Sequence, residues 1–554
     1  MAQVGIAALW ERLWQSHEDT KGFLTISKVK NETKTNASAY REESRSSTSG
    51  GGSGGNNKKP AYKPAQKVGL ILGPLLFLLT LLFFQPEGLN PEARAVLAVT
   101  LWVATWWITE PIPIAVTSLF PIILLPITGA VDGDAVVSSY GNDIIFLFLG
   151  GFFIATAMEK WNLHKRIALA IISVIGTSPQ RIVLGFMIAT AFLSMWVSNT
   201  AATMMLVPMG LAIVHQAAGS LEKGKYAKEL PKFEKSVIFG IGYAATIGGL
   251  GTLIGTPPLS ILAATVGEMF DTEISFAGWM MVGVPVVIIL IPALWLYLTK
   301  VVYRVNFSEL PGGKEQIKQE RRLLGRISYE EKAVAAVFVF AAFMWITRTF
   351  IWENIVHVPG ISDGIIAMTA TILLFLIPAK QEEGSKIMEW KDSKHIPWGI
   401  LLLFGGGLAI AAGFTETGLS DWIGNQLAAL EGMNLLIIMF VASGVILFLT
   451  EITSNTATGT MIIPVVAALA LALNVHPYAL MVPCAMAANC AFMLPVGTPP
   501  NAIIYGTGKL KITEMVKNGF WLNIMALIMA VLAVYFYLPV VWGIDLFEIP
   551  AQFQ

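Results

Sequence analysis

Residues Phe192 to Pro208 read FLSMWVSNTAATMMLVP, and residues Phe448 to Pro464 read FLTEITSNTATGTMIIP. Aligned without gaps, they share eight of seventeen residues, among them Ser198/Ser454, Asn199/Asn455 and Thr200/Thr456, at an offset of 256. A Ser-Asn-Thr triplet thus interrupts an apolar run twice, which implies an internal duplication. The likeness extends outward. Upstream, GGFFIATAMEKWNL from Gly150 answers GGLAIAAGFTETGL from Gly406. Downstream, Gly255-Thr256-Pro257-Pro258 answers Gly497-Thr498-Pro499-Pro500 at an offset of 242, because the first half alone carries the polar loop GSLEKGKYAKELPKFEK.

Composition sets the class. Charged residues are 13% of the 554 and hydrophobic ones 55%, against roughly 25% charged in soluble domains. The chain reads as an all-α polytopic membrane protein. Zero net charge and no basic stripe interleaved with aromatics argue against a nucleic-acid partner. Cys484 and Cys490 are too few for a disulfide framework or a metal site and read as packing residues. The six histidines show no metal-ligand spacing.

Residues 1–67 are polar, include SSTSGGGSGGNNKKP, and read as a flexible cytoplasmic tail with no cleavable signal peptide. Within it, Val4 to Trp14 places Ile6, Leu9, Trp10 and Leu13 on one helical face, suited to a membrane surface or to a free helical tail. Apolar runs long enough to cross a bilayer begin near Val68, Ala93, Ile112, Asp143, Ser236, Trp279, Lys332, Ile361, Pro397, Pro477 and Gly519, about eleven transmembrane helices. The stretches 181–215 and 433–473 hold the triplets and read as re-entrant hairpins, since a polar break at membrane depth must line a cavity. Lys and Arg collect on alternate loops. With a cytoplasmic N-terminus and an external C-terminus, the alternation holds only if both hairpins return to the side they entered. The first, flanked by Arg181 and Lys223, enters from the cytoplasm; the second, flanked by Asp421, Glu431 and Asn474, enters from outside. The expected organisation is a first helix at 68–90, a repeat at 91–300, a basic cytoplasmic loop at 301–332 and an inverted repeat at 333–545.

The triplets offer hydroxyls and amides that donate to a carboxylate or coordinate a hard cation. Helix N-termini at the hairpin tips favour an anion, and unwound carbonyls at Gly255 and Gly497 supply oxygens for a cation. Glycine followed by Thr-Pro-Pro suits the stopping of one half-helix, since proline removes donors and forces an extended residue before it. Neither hairpin core contains Lys or Arg, so co-bound cations are the remaining compensation for a buried dianion. The residues therefore point to a cation-coupled anion site. Glu451, matched by Met195 in the first half, is expected to hold structure by hydrogen bonding, and Glu110 to fix the WWITEPIP turn at the cytoplasmic surface.

The paired SNT motifs, each followed by G-T-P-P, together with WWITEPIPIAVTSL, resemble the divalent anion/sodium symporter family, in particular bacterial sodium-dependent dicarboxylate transporters. The resemblance spans about residues 68 to 545. It implies two opposed hairpins, a homodimer formed by scaffold domains and an elevator movement of transport domains. It also implies a first sodium site at Ser194, Ser198, Asn199 and the Gly255 carbonyl, and a second at Thr450, Asn455 and the Gly497 carbonyl. Substrate carboxylates would be held by Ser198, Asn199, Thr200, Ser454, Asn455 and Thr456, with Thr256 and Thr498 nearby. After the proline pairs the second half has Asn501, common in the family, whereas the first has Leu259-Ser260, which leaves the contacts of the first loop less defined. The full set of hydroxyls favours sodium symport over exchange.

The expected function is sodium-driven uptake, at the plasma membrane, of a C4-dicarboxylate such as succinate, fumarate or malate, by a carrier and not an enzyme. Citrate, 2-oxoglutarate or sulfate transport, and dicarboxylate exchange, are the alternatives.

Overall fold

The computed structural model describes residues 62–176, 178–221, 229–305, 313–381, 384–427 and 432–553. The tail through residue 61, with the Val4 to Trp14 stretch, lies outside the described residues, as do Lys223, Lys225, Lys228 and Glu431. The described chain is helical, without strands apart from one isolated bridge between Pro378 and Lys386.

Among the described residues, seven helices are long and apolar enough to cross a bilayer: Pro64–Phe83, Gly133–Lys160, Phe276–Val302, Tyr329–Glu353, Trp398–Glu416, Asn455–Ala472 and Ile512–Trp542. The other expected spans fall on helices that are shorter or less apolar. Pro91–Thr109 opens with Glu92 and Arg94, while Asp363–Leu376 has 14 residues and Tyr478–Asn489 has 12, roughly 20 Å at 1.5 Å per residue. Such short helices do not cross alone; they continue past a break or pack inside neighbours.

Local chemistry sets the boundaries. Asn90, Ser328, Ser362 and Asn434 accept backbone N–H bonds at helix starts, as N-caps do. The first helix, Pro64–Phe83, buries only Gly69, Gly73 and Thr80. Trp106 Nε1 donates to the Gly69 carbonyl at 2.8 Å, and a Cβ on Gly73 would lie 2.6 Å from Trp102 and Trp106. Small residues here allow close helix approach. Elsewhere, buried Arg348 pairs with buried Asp363 (2.9 Å), with Glu353 (3.0 Å) and with Glu273. Asp363 also accepts from the Phe276 amide at 2.8 Å. This network pins three membrane helices where their ends meet, and a buried charge persists only in such company.

Eight helices form the site and are numbered α1 to α8. The first set is α1 Pro179–Ser194, α2 Asn199–Leu221, α3 Leu230–Gly248 and α4 Pro257–Phe270; the second is α5 Leu435–Leu449, α6 Asn455–Ala472, α7 Tyr478–Asn489 and α8 Pro499–Gly506. Each set has the same grammar. A helix pair is broken immediately before Asn199 or Asn455, and a second pair is broken immediately before a Pro-Pro that occupies the first turn of the next helix. In each set the broken helix, α3 or α7, packs against both arms of its own hairpin, while the sets interlock through α2 on α8 and α4 on α6.

Candidate functional site

All four breaks open onto one cavity of about 630 Å³. Ten of the twelve residues singled out from the sequence line it: Ser198, Asn199, Thr200, Gly255, Thr256, Ser454, Asn455, Thr456, Gly497 and Thr498. The other two, Ser194 and Thr450, are fully buried behind it. Both hairpin tips and both unwound loops therefore face the same space, although they come from sequence positions more than 200 apart.

Behind each triplet sits a matching cluster of oxygens. Ser194 Oγ donates to the Ala245 carbonyl at 2.7 Å and touches the Asn199 amide. With its nitrogen turned inward, that amide donates to the carbonyls of Ala245 (3.2 Å) and Gly255 (3.3 Å). With its oxygen inward, Asn199 Oδ1 joins Ser194 Oγ and two carbonyls in an all-oxygen set, of the kind that suits a hard cation. In the second half, Thr450 Oγ1 shares its proton between the Ala488 carbonyl (2.8 Å) and Asn455 Oδ1 (2.6 Å), and Asn455 Nδ2 donates to the Asn489 carbonyl at 3.1 Å. A hydroxyl five residues before each Asn thus reaches a carbonyl in the last turn of α3 or α7.

The helix ends sort charge. α2, α4, α6 and α8 begin at the cavity, each preceded by a hydroxyl residue: Ser198, Thr256, Ser454 or Thr498. Their N-terminal dipoles point positive partial charge at the space, while α7 ends there at Asn489 and the unwound residues Gly255 and Gly497 face it. Among the described residues no Lys or Arg lines the cavity; its farther walls carry Glu110, Glu159, His395, Phe148 and Phe152. An anion would meet N–H groups and hydroxyls, and a cation would meet oxygens, in adjacent places.

Several features refine the sequence reading. Glu451 is buried and accepts from the backbone N–H groups of Phe492 (2.8 Å), Met493 (2.9 Å) and Leu494 (3.0 Å) and from Asn523 Nδ2 (2.7 Å). It holds the unwound loop that precedes Gly497. In the first half the equivalent contact reverses its chemistry: Thr252, which aligns with Leu494, donates its hydroxyl to the backbone oxygen of Met195, which aligns with Glu451, at 2.5 Å. The first loop also proves well braced. Ser260 is buried and donates to the Leu253 carbonyl at 2.6 Å, as Asn501 donates to the Leu494 carbonyl at 3.0 Å; each carbonyl lies seven residues back. Glu110 does fix its turn, with φ of 47° and its carbonyl accepting from Gln66 Nε2 at 2.8 Å. It also lines the cavity wall, which the surface assignment missed.

Asn489 was missed altogether. It lies 1% exposed at the end of α7 and lines the cavity. A single amide inside the apolar run YALMVPCAMAAN is the signal that points to it, because polar groups at membrane depth are costly without a role. The carbonyls of Ala245 and Ala488 had no sequence signal, since any residue supplies one.

A polar cavity bounded by broken helices, inside an all-helical multi-pass membrane protein, is the architecture of a transporter. The chain belongs to the sodium:sulfate symporter family: its residues 65–544 match the transmembrane region that defines the family. It is 56% identical over 487 residues to a sodium-dependent dicarboxylate transporter, SdcS, of Staphylococcus saprophyticus, covering 88% of this chain and 94% of the relative. A protein of the same name from Staphylococcus aureus is 55% identical over 490 residues, with the same coverage. Among solved structures, the Alcanivorax borkumensis YdaH transporter matches with a TM-score of 0.52 at 11% identity, covering 86% of this chain and 98% of that one. Neisseria gonorrhoeae MtrF matches with a TM-score of 0.52 at 10% identity, covering 87% and 96%. At such identity the likeness speaks for the fold alone. The chain is a transporter and not an enzyme.

Proposed function

We propose that this protein is a secondary active transporter that couples sodium to the uptake of C4-dicarboxylates such as succinate, fumarate and malate. The observation that carries the reading is the pairing of two oxygen clusters with four helix N-termini around one cavity that, among the described residues, no Lys or Arg lines. A dianion in such a place needs cations beside it, because desolvating uncompensated charge costs several kcal/mol. The names of the two staphylococcal relatives support both the ion and the substrate class.

In this reading the first sodium ion is held by Ser194, Ser198, Asn199 and the Gly255 carbonyl, with Ala245 adding an oxygen. The second is held by Thr450, Asn455 and the Gly497 carbonyl, with Ala488 in the matching role. One substrate carboxylate meets Ser198, Asn199 and Thr200 and the other meets Ser454, Asn455 and Thr456, while Thr256 and Thr498 close the sides. The halves are inverted repeats with re-entrant hairpins, within about eleven spans. Transport domains move as an elevator within a plasma-membrane homodimer formed by scaffold domains, whose N-terminus is cytoplasmic and C-terminus external.

The test is labelled succinate uptake into proteoliposomes with an inward sodium gradient, run in parallel with potassium. Accumulation with sodium alone supports symport. Equal uptake in both salts, stimulated by internal dicarboxylate, would mean exchange and remove the cation sites; competition by citrate, 2-oxoglutarate and sulfate ranks the anions. Asn199→Ala and Asn455→Ala should each abolish sodium-dependent uptake, and near-normal transport by both, folded and inserted, would sink the site assignment.

A further inference from the structure

Asn489 touches more of the site than any ligand role requires. Its Oδ1 accepts from Thr256 Oγ1 at 2.6 Å, and its Nδ2 donates to the Thr246 carbonyl at 2.8 Å. Its own backbone oxygen accepts from Asn455 Nδ2 at 3.1 Å. Thr256 directly follows Gly255, Thr246 directly follows Ala245, and Asn455 carries the second triplet. One buried residue of the second half therefore bonds both edges of the first oxygen cluster and one member of its own.

The connection is one-sided. Eight residues before its Gly-Thr-Pro-Pro the first half has Ile247, buried and apolar, where the second half has Asn489. Each end of the amide already has a partner in the first half: its oxygen takes the Thr256 hydroxyl proton and its nitrogen serves the Thr246 carbonyl. What it can do is transmit position.

We propose that Asn489 is a positioning residue that couples the two sodium sites, so that filling one prepares the other. This rests on the sodium sites proposed above. An ion that fixes the Gly255 carbonyl fixes Thr256; Thr256 orients the Asn489 amide; and Asn489 presents its backbone oxygen to Asn455, setting the direction in which Asn455 Oδ1 faces. The path has no gap wider than a hydrogen bond, and it runs equally in reverse, as coupling between two binding events must. Thr256 and Asn489 come from different halves, so occupation of either site stiffens both.

The experiment is sodium-titrated succinate uptake in proteoliposomes at saturating succinate, comparing the wild type with Asn489→Leu, which keeps the branched heavy-atom skeleton and removes both side-chain bonds. The wild type is expected to show a Hill coefficient approaching about 2, and the variant a clearly lower one, toward that of two independently filled sites, with a higher half-saturating sodium concentration. Maximal uptake at high sodium should be largely retained. A wild-type Hill coefficient in Asn489→Leu overturns the proposal, including the case in which only maximal rate falls, since that is what a purely structural role predicts. Asn489→Ala, smaller and equally without both side-chain bonds, decides by the same readout if Asn489→Leu does not insert. Wild-type uptake that ignores sodium would instead defeat the functional reading, and it is seen before any variant is made.

Discussion

Replacing Glu451 tests how the second loop is held. Its carboxylate accepts from three consecutive backbone amides and from Asn523, a role for which an acceptor-only group is needed. In Glu451→Gln the new oxygen can keep the partners of Oε1, but the new NH₂ faces the Leu494 N–H, 3.0 Å away in the native protein. Two buried donors then lack acceptors, at about 1–3 kcal/mol each, or about 2–6 kcal/mol together. Glu451→Met, which copies the first half, goes further. Phe492 N retains Asn523 Oδ1 at 3.3 Å, but Met493 N, Leu494 N and Asn523 Nδ2 lose their acceptor, roughly 3–9 kcal/mol. Thermal unfolding of the purified protein in detergent should rank wild type above Glu451→Gln above Glu451→Met. Half-saturating sodium should rise in the same order, because the loop carries the Gly497 carbonyl proposed for the second sodium ion. A Met variant with wild-type melting and wild-type sodium dependence would refute the bracing role.

Other expectations follow from single contacts. Gly283 and Gly519 are each the eighth residue of the helix after a loop, and a Cβ would lie 2.4 Å from the Leu250 oxygen in one case and 2.2 Å from the Phe492 oxygen in the other. Gly283→Ala and Gly519→Ala should each push a loop backbone and cut uptake by about tenfold or more, a barrier change of about 1.4 kcal/mol; unchanged uptake would show that the loops tolerate displacement. Arg348→Met should destabilise by about 3–5 kcal/mol, since it strands the buried Asp363 carboxylate, and Arg348→Met with Asp363→Leu should recover part of the loss in thermal unfolding. His476, in the connection between α6 and α7, is held neutral because burial lowers its pKa from 6.5 to about 4. The unfolded chain binds the proton first on acidification, so stability is full above pH 6.5 and falls as pH drops toward 4, by up to about 3 kcal/mol. His476→Asn, whose oxygen can replace the Nδ1 that accepts from the Tyr478 amide, should flatten that dependence in melts between pH 7.5 and 4.5.

The sequence disclosed the site more fully than the fold around it. Polar triplets and proline pairs stand out in apolar runs because they break the backbone, and a break inside a membrane has to be compensated where it occurs. Ser198, Asn199, Gly255 and their counterparts were legible for that reason. What stayed hidden depends on partners distant in sequence. Nothing near Met195 or Glu451 says that one contributes a backbone oxygen and the other a carboxylate to the same contact, because the chemistry is decided by Thr252 and Leu494 across the break. Arg348 reads as an ordinary helix-end cation until Asp363, Glu273 and Glu353 are seen around it. Asn489 carried a faint signal, and its meaning lay in Thr256 and Thr246, 233 and 243 residues away.

That distance bears on how the protein is made. Thr256 Oγ1 and the Thr246 carbonyl enter the membrane long before residue 489 has been synthesised, in a chain that lengthens at about 5–20 residues per second. For roughly ten seconds or more this pair of groups at the first helix break lacks the Asn489 amide that will later satisfy it, in a solvent that supplies no substitute. Water, lipid headgroups or an insertion factor must shelter it until α7 arrives, and its arrival is the step that turns two inserted halves into one carrier.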